Sequence, residues 1–250
     1  MGLFQYQSIM LEDGALLDVI RLLVGITILS YASYTDIKTR RASNMLWVIM
    51  GVIGAILLVV QYFTIGFENP YYLLFIPIMI ALMFALFQLR LIFGGADAKA
   101  LMALAILVPL KPEILQLPLF EGSAISMPGS WIVFSNSILL FLFIPLSLLV
   151  FNLLKRNIEF PYCVLGYKMS IKKAKQTFVW PLEKIKDGKR KFSYMPKEFD
   201  VDEELLAFEK HGIKEIWVTP KIPFMIPLLA GFIATFILGD ILSHILQSFM

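Results

Sequence analysis

Two aspartates, Asp36 in SYTDIKTRRASN and Asp97 in FGGADAKAL, are the residues of this chain best suited to chemistry. Each borders an apolar run, and an ionisable group at membrane depth is costly, so by default it signals a function and a partner. Two carboxylates that meet in a partly desolvated cleft cannot both ionise easily. They share one proton, and the titration belongs to the pair. Such a dyad activates water and protonates a leaving amide nitrogen without a metal or a covalent nucleophile. A structural reading competes with this one. Asp36 with Lys38, and Asp97 with Lys99, form Asp-x-Lys steps of the kind that anchor helix ends at a membrane surface. The glycines favour chemistry, because Gly94 and Gly95 ahead of a helix permit torsions and close approaches that serve a site more than an anchor.

Only membrane helices can bring these residues together. Of 250 residues, 58% are hydrophobic and 16% charged, against about 45–50% and about 25% in soluble domains. The mean hydropathy is +0.77. Apolar runs at Leu16–Tyr34, Met45–Phe63, Tyr71–Leu89, Ala98–Leu110, Ile132–Leu154 and Ile222–Leu246 read as six spans. The backbone must satisfy itself in lipid, and the short alternating segments of a barrel are missing, so the spans are helices. Ala98–Leu110 is short: 13 residues reach about 20 Å, against a hydrocarbon core of about 30 Å. That helix must either extend past Pro109 and Pro112 toward Phe120 or start recessed within the protein.

Charge sets the orientation. Lys38, Arg40, Arg41, Arg90 and Lys99 fall in alternate connections, and Lys155–Lys221 holds 15 of the 22 Lys and Arg residues. The basic loops are therefore cytoplasmic and both termini lie outside. No Lys or Arg precedes the first span, so a cleavable signal peptide is not expected. The predicted architecture is an all-α polytopic membrane protein of six transmembrane helices, with a small α+β cytoplasmic domain before the last helix. Residues 1–154 carry spans one to five and both aspartates, 155–221 form the cytoplasmic domain, and 222–250 form the sixth span. Within 155–221, Asp200 and Glu203 resemble a capping box for a helix over Val201–Lys210 that Gly212 could end. Glu215–Thr219 reads as a strand, and Phe192–Pro196 as a second.

Other reactive side chains suggest less. His211 suits a helix C-terminus, and His244 with Asp240 four residues earlier suggests an interfacial pair. Asp18 and Arg21 most simply pair with each other. Cys163 is the only cysteine and reads as a packed thiol. Ser123 and Ser130 follow glycines but fall in the outer loop between spans four and five, and the rhomboid-type G-x-S-G pattern of intramembrane serine proteases is absent. No metal site and no cofactor are expected. The basic stretches IKKAKQ (Ile171–Gln176) and KIKDGKRKF (Lys184–Phe192) point to membrane lipids rather than nucleic acid.

A family resemblance sharpens the reading. FGGADAK resembles the second-aspartate motif of GxGD membrane aspartic proteases. SYTDIKTRRASN resembles the first-aspartate motif of type IV prepilin peptidases. KIPFMIPLLAG (Lys221–Gly231) is similar to the I-P-F…P segment that opens a late span in those enzymes. With six spans and a cytoplasmic insert, the pattern is most similar to the archaeal preflagellin (prearchaellin) peptidase branch, over essentially Leu16–Leu246. The resemblance implies cleavage of class III signal peptides from flagellin- or pilin-like precursors at the cytoplasmic membrane face. It makes Asp36 and Asp97 the catalytic pair and puts Gly94 and Ala96 at the two motif glycines. Ala96 departs from that pattern, and alanine would be strained there if the position needed a positive φ. Bacterial relatives often carry a cysteine-rich zinc module and methylate the new N-terminus; with Cys163 alone, proteolysis without methyl transfer is expected. The acidic patch Asp200, Asp202, Glu203 and Glu204 is a weaker candidate for attracting the basic leader. Two alternatives stand: a presenilin- or signal-peptide-peptidase-like protease cutting inside the lipid, and a non-catalytic transporter or assembly scaffold.

Overall fold

The computed structural model describes residues 3–39, 41–67, 69–89, 94–120, 127–186, 188–193, 201–220 and 223–249. It divides into two compact units, Met1–Phe141 with Pro223–Met250, and Leu142–Ile222.

The first unit is helical. Its elements are α1 (Leu3–Thr39), α2 (Asn44–Thr64), a 3-10 turn (Pro70–Leu74) leading into α3 (Phe75–Gln88), α4 (Gly95–Leu107), α5 (Gly129–Phe141), α10 (Met225–Ile237) and α11 (Ile241–Ser248). Among the described residues, four stretches are long and apolar enough to cross a membrane: Gly14–Thr39, Asn44–Thr64, Pro70–Gln88 and Gly129–Leu154. The protein is thus a mostly helical membrane protein with four such helices where the sequence suggested six.

The two differences have physical causes. α4 has 13 residues, of which Ala98, Ala100, Leu101, Ala103, Leu104, Ala105 and Leu107 are buried. A helix sheathed by protein need not match the bilayer in length. Beyond Val108 the backbone leaves the helix, and the N–H groups of Leu119 and Phe120 donate to the carbonyls of Ile237 and Leu238, at 2.9 Å each. The expected sixth span breaks at Gly239, whose φ of +88° no helix accommodates. The backbone groups freed there are met by Asn136, which is fully buried. Its Nδ2 donates to Gly239 O (2.8 Å) and its Oδ1 accepts from Ile241 N (3.3 Å). Asp240 then caps α11 by accepting from Ser243 N (3.0 Å). His244 stacks on the Phe120 ring, centroids 4.1 Å apart, instead of pairing with Asp240 as expected.

α2 is the spine of this unit. Its buried residues Trp47, Met50, Gly54 and Leu57 recur at spacings of three and four, which places them on one face. Gly54 lets the α4 backbone approach so closely that a Cβ there would press on Leu107 and Ile106. α1 joins α2 near its other end through Arg21, which donates to Asp18 Oδ1 (2.7 Å) and to Gln61 Oε1 (2.7 Å), so the expected Asp18–Arg21 pair forms and recruits a third partner.

The second unit carries α6 (Phe143–Leu154), α7 (Tyr162–Leu165), β1 (Tyr167–Ser170), α8 (Ile171–Ala174), β2 (Val179–Pro181), β3 (Glu183–Lys186), β4 (Lys189–Phe192), α9 (Val201–Lys210) and β5 (Glu215–Pro220). An antiparallel sheet runs β1-β5-β2, and β3 pairs with β4 in a separate hairpin. Residues alternate across a strand, so Ile216 and Val218 of β5 pack with Leu205 and Phe208 of α9, while Trp217 turns to Cys163, Leu182 and Leu149. The helix expected over Val201–Lys210 and the strand expected at Glu215–Thr219 are present, and Gly212 follows the helix at φ +71°. Of the strand expected at Phe192–Pro196, Phe192 ends β4 and Tyr194–Pro196 lie outside the described residues.

Asn152 fastens α6 into this unit. It is fully buried, and the two hydrogens of its Nδ2 serve three carbonyls, Cys163 (2.9 Å), Gly166 (2.6 Å) and, by sharing, Leu148 one turn back in α6 (2.9 Å). Asn152→Leu strands the Cys163 and Gly166 carbonyls, and the expected cost is about 3 kcal/mol. The check is the thermal unfolding midpoint of the detergent-purified protein, which should fall by several degrees; an unchanged midpoint contradicts the clasp.

Candidate active site

Asp36 lies one turn from the end of α1, and Asp97 lies in the first turn of α4. Both are half-buried. The chain separates them by 61 positions, yet Asp97 is set in a largely buried site near enough to feel the Asp36 charge. They are brought within electrostatic reach by α2, which packs along both α1 and α4. Two short links close the facing ends of α1 and α2. Thr39 Oγ1 donates to Thr35 O (2.8 Å), closing α1, and Ser43 then caps α2 by accepting from Met45 N (3.3 Å).

Gly94 has a specific job. Its backbone is extended (φ −90°, ψ 112°), so positive φ is not its purpose. The Asp97 side chain folds back over it, and a Cβ at Gly94 would collide with the carboxylate Oδ2 and Cγ. Gly95 is different: a Cβ there would make only ordinary contact with the Phe87 ring at 3.5 Å. Ala96 sits within the helix, with no positive φ, and packs against the main core. The departure from the two-glycine pattern therefore carries no backbone strain here. At Gly94 itself the glycine supplies room and not a positive φ.

The lysines of the two motifs have their own partners. Lys99 Nζ donates to Asn44 Oδ1 at 2.8 Å, joining the start of α2 to the start of α4. Lys38 Nζ lies 4.7 Å from the Tyr34 ring centroid. Among the described residues no cation pairs with Asp97, which weakens the anchor reading for that residue. Asn44, which closes the first motif, was quoted in the pattern but given no role; its link to Lys99 depends on a tertiary approach that spacing does not reveal. Lys99→Met removes this link, and we expect kcat to fall about threefold to tenfold with little change in KM. A steady-state comparison with wild type reads the effect, and an unchanged kcat would remove Lys99 from the account.

The acidic patch is only partly in view. Asp200 lies outside the described residues, as does the side chain of Asp202. Glu203 is exposed. Glu204 is half-buried; burial pushes its carboxyl up and nearby Lys184 draws it partly back. Among the described residues, no three His, Cys, Asp or Glu side chains gather where they could hold a metal ion.

The helical membrane unit with two interacting carboxylates defines a class. Residues 23–153 match the model of the type IV leader peptidase family, and residues 158–241 match that of the archaeal peptidase A24 C-terminus, type II. The chain belongs to the type IV leader peptidase family and is a protease. It is similar to the preflagellin peptidase of Methanococcus voltae, 31% identical over 235 residues, covering 89% of this chain and 97% of that protein. The preflagellin peptidases of Methanococcus maripaludis (strain C6 / ATCC BAA-1332) and Methanocaldococcus jannaschii are 27% and 26% identical. Each of those similarities again covers 89% of this chain, and 96% and 95% of the respective relatives.

Proposed function

We propose that this protein is an aspartic endopeptidase that removes the class III signal peptide from flagellin- or pilin-like precursors, with Asp36 and Asp97 as its catalytic pair. The observation that carries the reading is the packing of α1 and α4 with α2, which brings the two carboxyls, 61 positions apart in the chain, within electrostatic reach of each other. The relatives named preflagellin peptidase support the substrate class. The pair shares one proton. The ionised carboxylate takes a proton from water as the water oxygen attacks the scissile carbonyl, and the protonated carboxyl polarises that carbonyl oxygen. The tetrahedral intermediate then collapses. Its C–N bond breaks, the leaving nitrogen takes up a proton from the pair, and a free carboxyl and a free amine remain. Neither a cofactor nor methyl transfer enters this reaction.

The topology belongs to the same proposal. α4 with its following extended segment, and α10 with α11, complete six passages, both termini lie outside, and the pair sits at the cytoplasmic face. The concentration of Lys and Arg in alternate connections supports that orientation. Incubating the purified protein with a precursor and mapping the cut by mass spectrometry tests the function. A cut at the border between polar leader and apolar helix is expected. A cut inside the apolar helix would favour the presenilin-like alternative, and no cut in any precursor would favour a non-catalytic role.

The acidic patch Asp200, Asp202, Glu203 and Glu204 is proposed to attract the basic leader. Reversing the charges of Glu203 and Glu204 should raise KM about threefold at low salt, and the effect should vanish as salt screens it. An unchanged KM at low salt discards this role.

A further inference from the structure

The β3–β4 hairpin of the second unit segregates its charges by face. The register pairs Glu183 with Phe192, Lys184 with Lys191, Ile185 with Arg190 and Lys186 with Lys189. Directly opposed residues, and residues two apart along a strand, share a face. Lys184, Lys186, Lys189 and Lys191 therefore form one face together, and all four are exposed. The other face carries Glu183, Ile185, Arg190 and Phe192. That face is held to the protein, since Glu183 is buried and Arg190 grips it through Nε (3.0 Å) and a terminal nitrogen, and Tyr162 meets the Phe192 ring edge-on.

Like charges set directly opposite in a sheet destabilise it. This hairpin has two such pairs in succession, Lys184 with Lys191 and Lys186 with Lys189, and Glu204 lies near enough to Lys184 to feel its charge. A hairpin of this kind is relieved by a polyanion laid along it. We propose that the four-lysine face docks on the anionic headgroups of the bilayer and fixes the second unit against the membrane surface.

The same unit says why the polyanion is lipid. Leu182, the residue before β3, packs with Trp217 and with Leu149 of α6, and Ser193, the residue after β4, donates its N–H to Leu182 O (2.8 Å). Both ends of the hairpin are thus fixed beside α6, the closing part of the apolar run Gly129–Leu154. A four-residue strand reaches at most about 13 Å from that base. The lysines are held permanently near headgroups, whereas a nucleic acid must be captured from solution. Single-stranded nucleic acid also needs aromatic rings among the cations for its bases to stack on. The lysine face has none; Phe192 lies on the opposite face.

The test uses the full chain in nanodiscs of phosphatidylcholine alone, or with about one third phosphatidylglycerol. Hydrogen exchange of the peptide covering 183–192 is compared between the two. Exchange is expected to slow about tenfold in the anionic discs. The slowing should disappear at about 0.5 M salt, where the Debye length is roughly 4 Å. It should also disappear when the four lysines are replaced together by glutamine, while exchange in β5 stays unchanged and shows that the domain is folded. Equal exchange in both discs overturns the proposal. So does protection that appears only when an oligonucleotide is added to neutral discs, which would make the face a nucleic-acid surface.

Discussion

Asp36→Asn and Asp97→Asn should each reduce precursor cleavage by about a thousandfold or more, and the double variant should fall no further. Each carboxyl has a role that the other cannot fill, because one must be ionised when the other is protonated. An amide keeps the shape of the side chain but can neither accept the proton of water nor release one to the leaving nitrogen. Two groups acting as one unit lose everything at the first substitution, so non-additivity is the signature of a dyad. Two surface anchors would behave otherwise: each loss would be small, and the two would add. The assay is cleavage of one precursor by wild type and the three variants, with folding checked by gel filtration in detergent.

A second large effect is expected one turn away. Gly94→Val drives a side chain into the space occupied by the Asp97 carboxylate and should lower kcat about a hundredfold by displacing that group. KM should change far less, since the substrate helix does not depend on Oδ2. Ala96→Gly, which restores the second motif glycine, should leave kcat within about twofold, because that position is plain helix here and only helix propensity is lost. The pair of variants separates two readings of a glycine-rich motif. If Ala96→Gly raised activity strongly, or Gly94→Val left it intact, the motif would act through backbone freedom instead of space.

Much of this was legible from residue types and their spacing. Asp36 and Asp97 stand out because an ionisable group bordering an apolar run is costly and one of them follows a pair of glycines, and the helix over Val201–Lys210 follows from its capping residues. The shortness of α4 was legible, since Ala98–Leu110 reads as only 13 residues, but its enclosure by protein and the length of α10 were not. A hydropathy pattern assumes that each apolar run faces lipid, whereas α4 is enclosed by protein and α10 stops at a Gly239 whose freed carbonyl is met by Asn136, 103 residues earlier in the chain. The role of Gly94 was half legible. Glycine announced that something unusual happens before Asp97, but only the folded-back carboxylate shows that the need is for room. The four-lysine face was visible as a basic stretch but not as a face, since strand register decides which cations stand together.

The most direct test of the central claim is a cross-link between the two positions. In a Cys163→Ser background, Asp36→Cys and Asp97→Cys are introduced together, and the membrane-embedded protein is treated with a bifunctional thiol reagent spanning roughly 8 Å, a separation at which two carboxyls can still serve one water. Efficient intramolecular cross-linking, with both thiols labelled by a polar reagent from the cytoplasmic side, is the predicted result. If each thiol reacts singly but the two never join, or if they are reached from opposite sides of the membrane, then Asp36 and Asp97 do not form one catalytic centre.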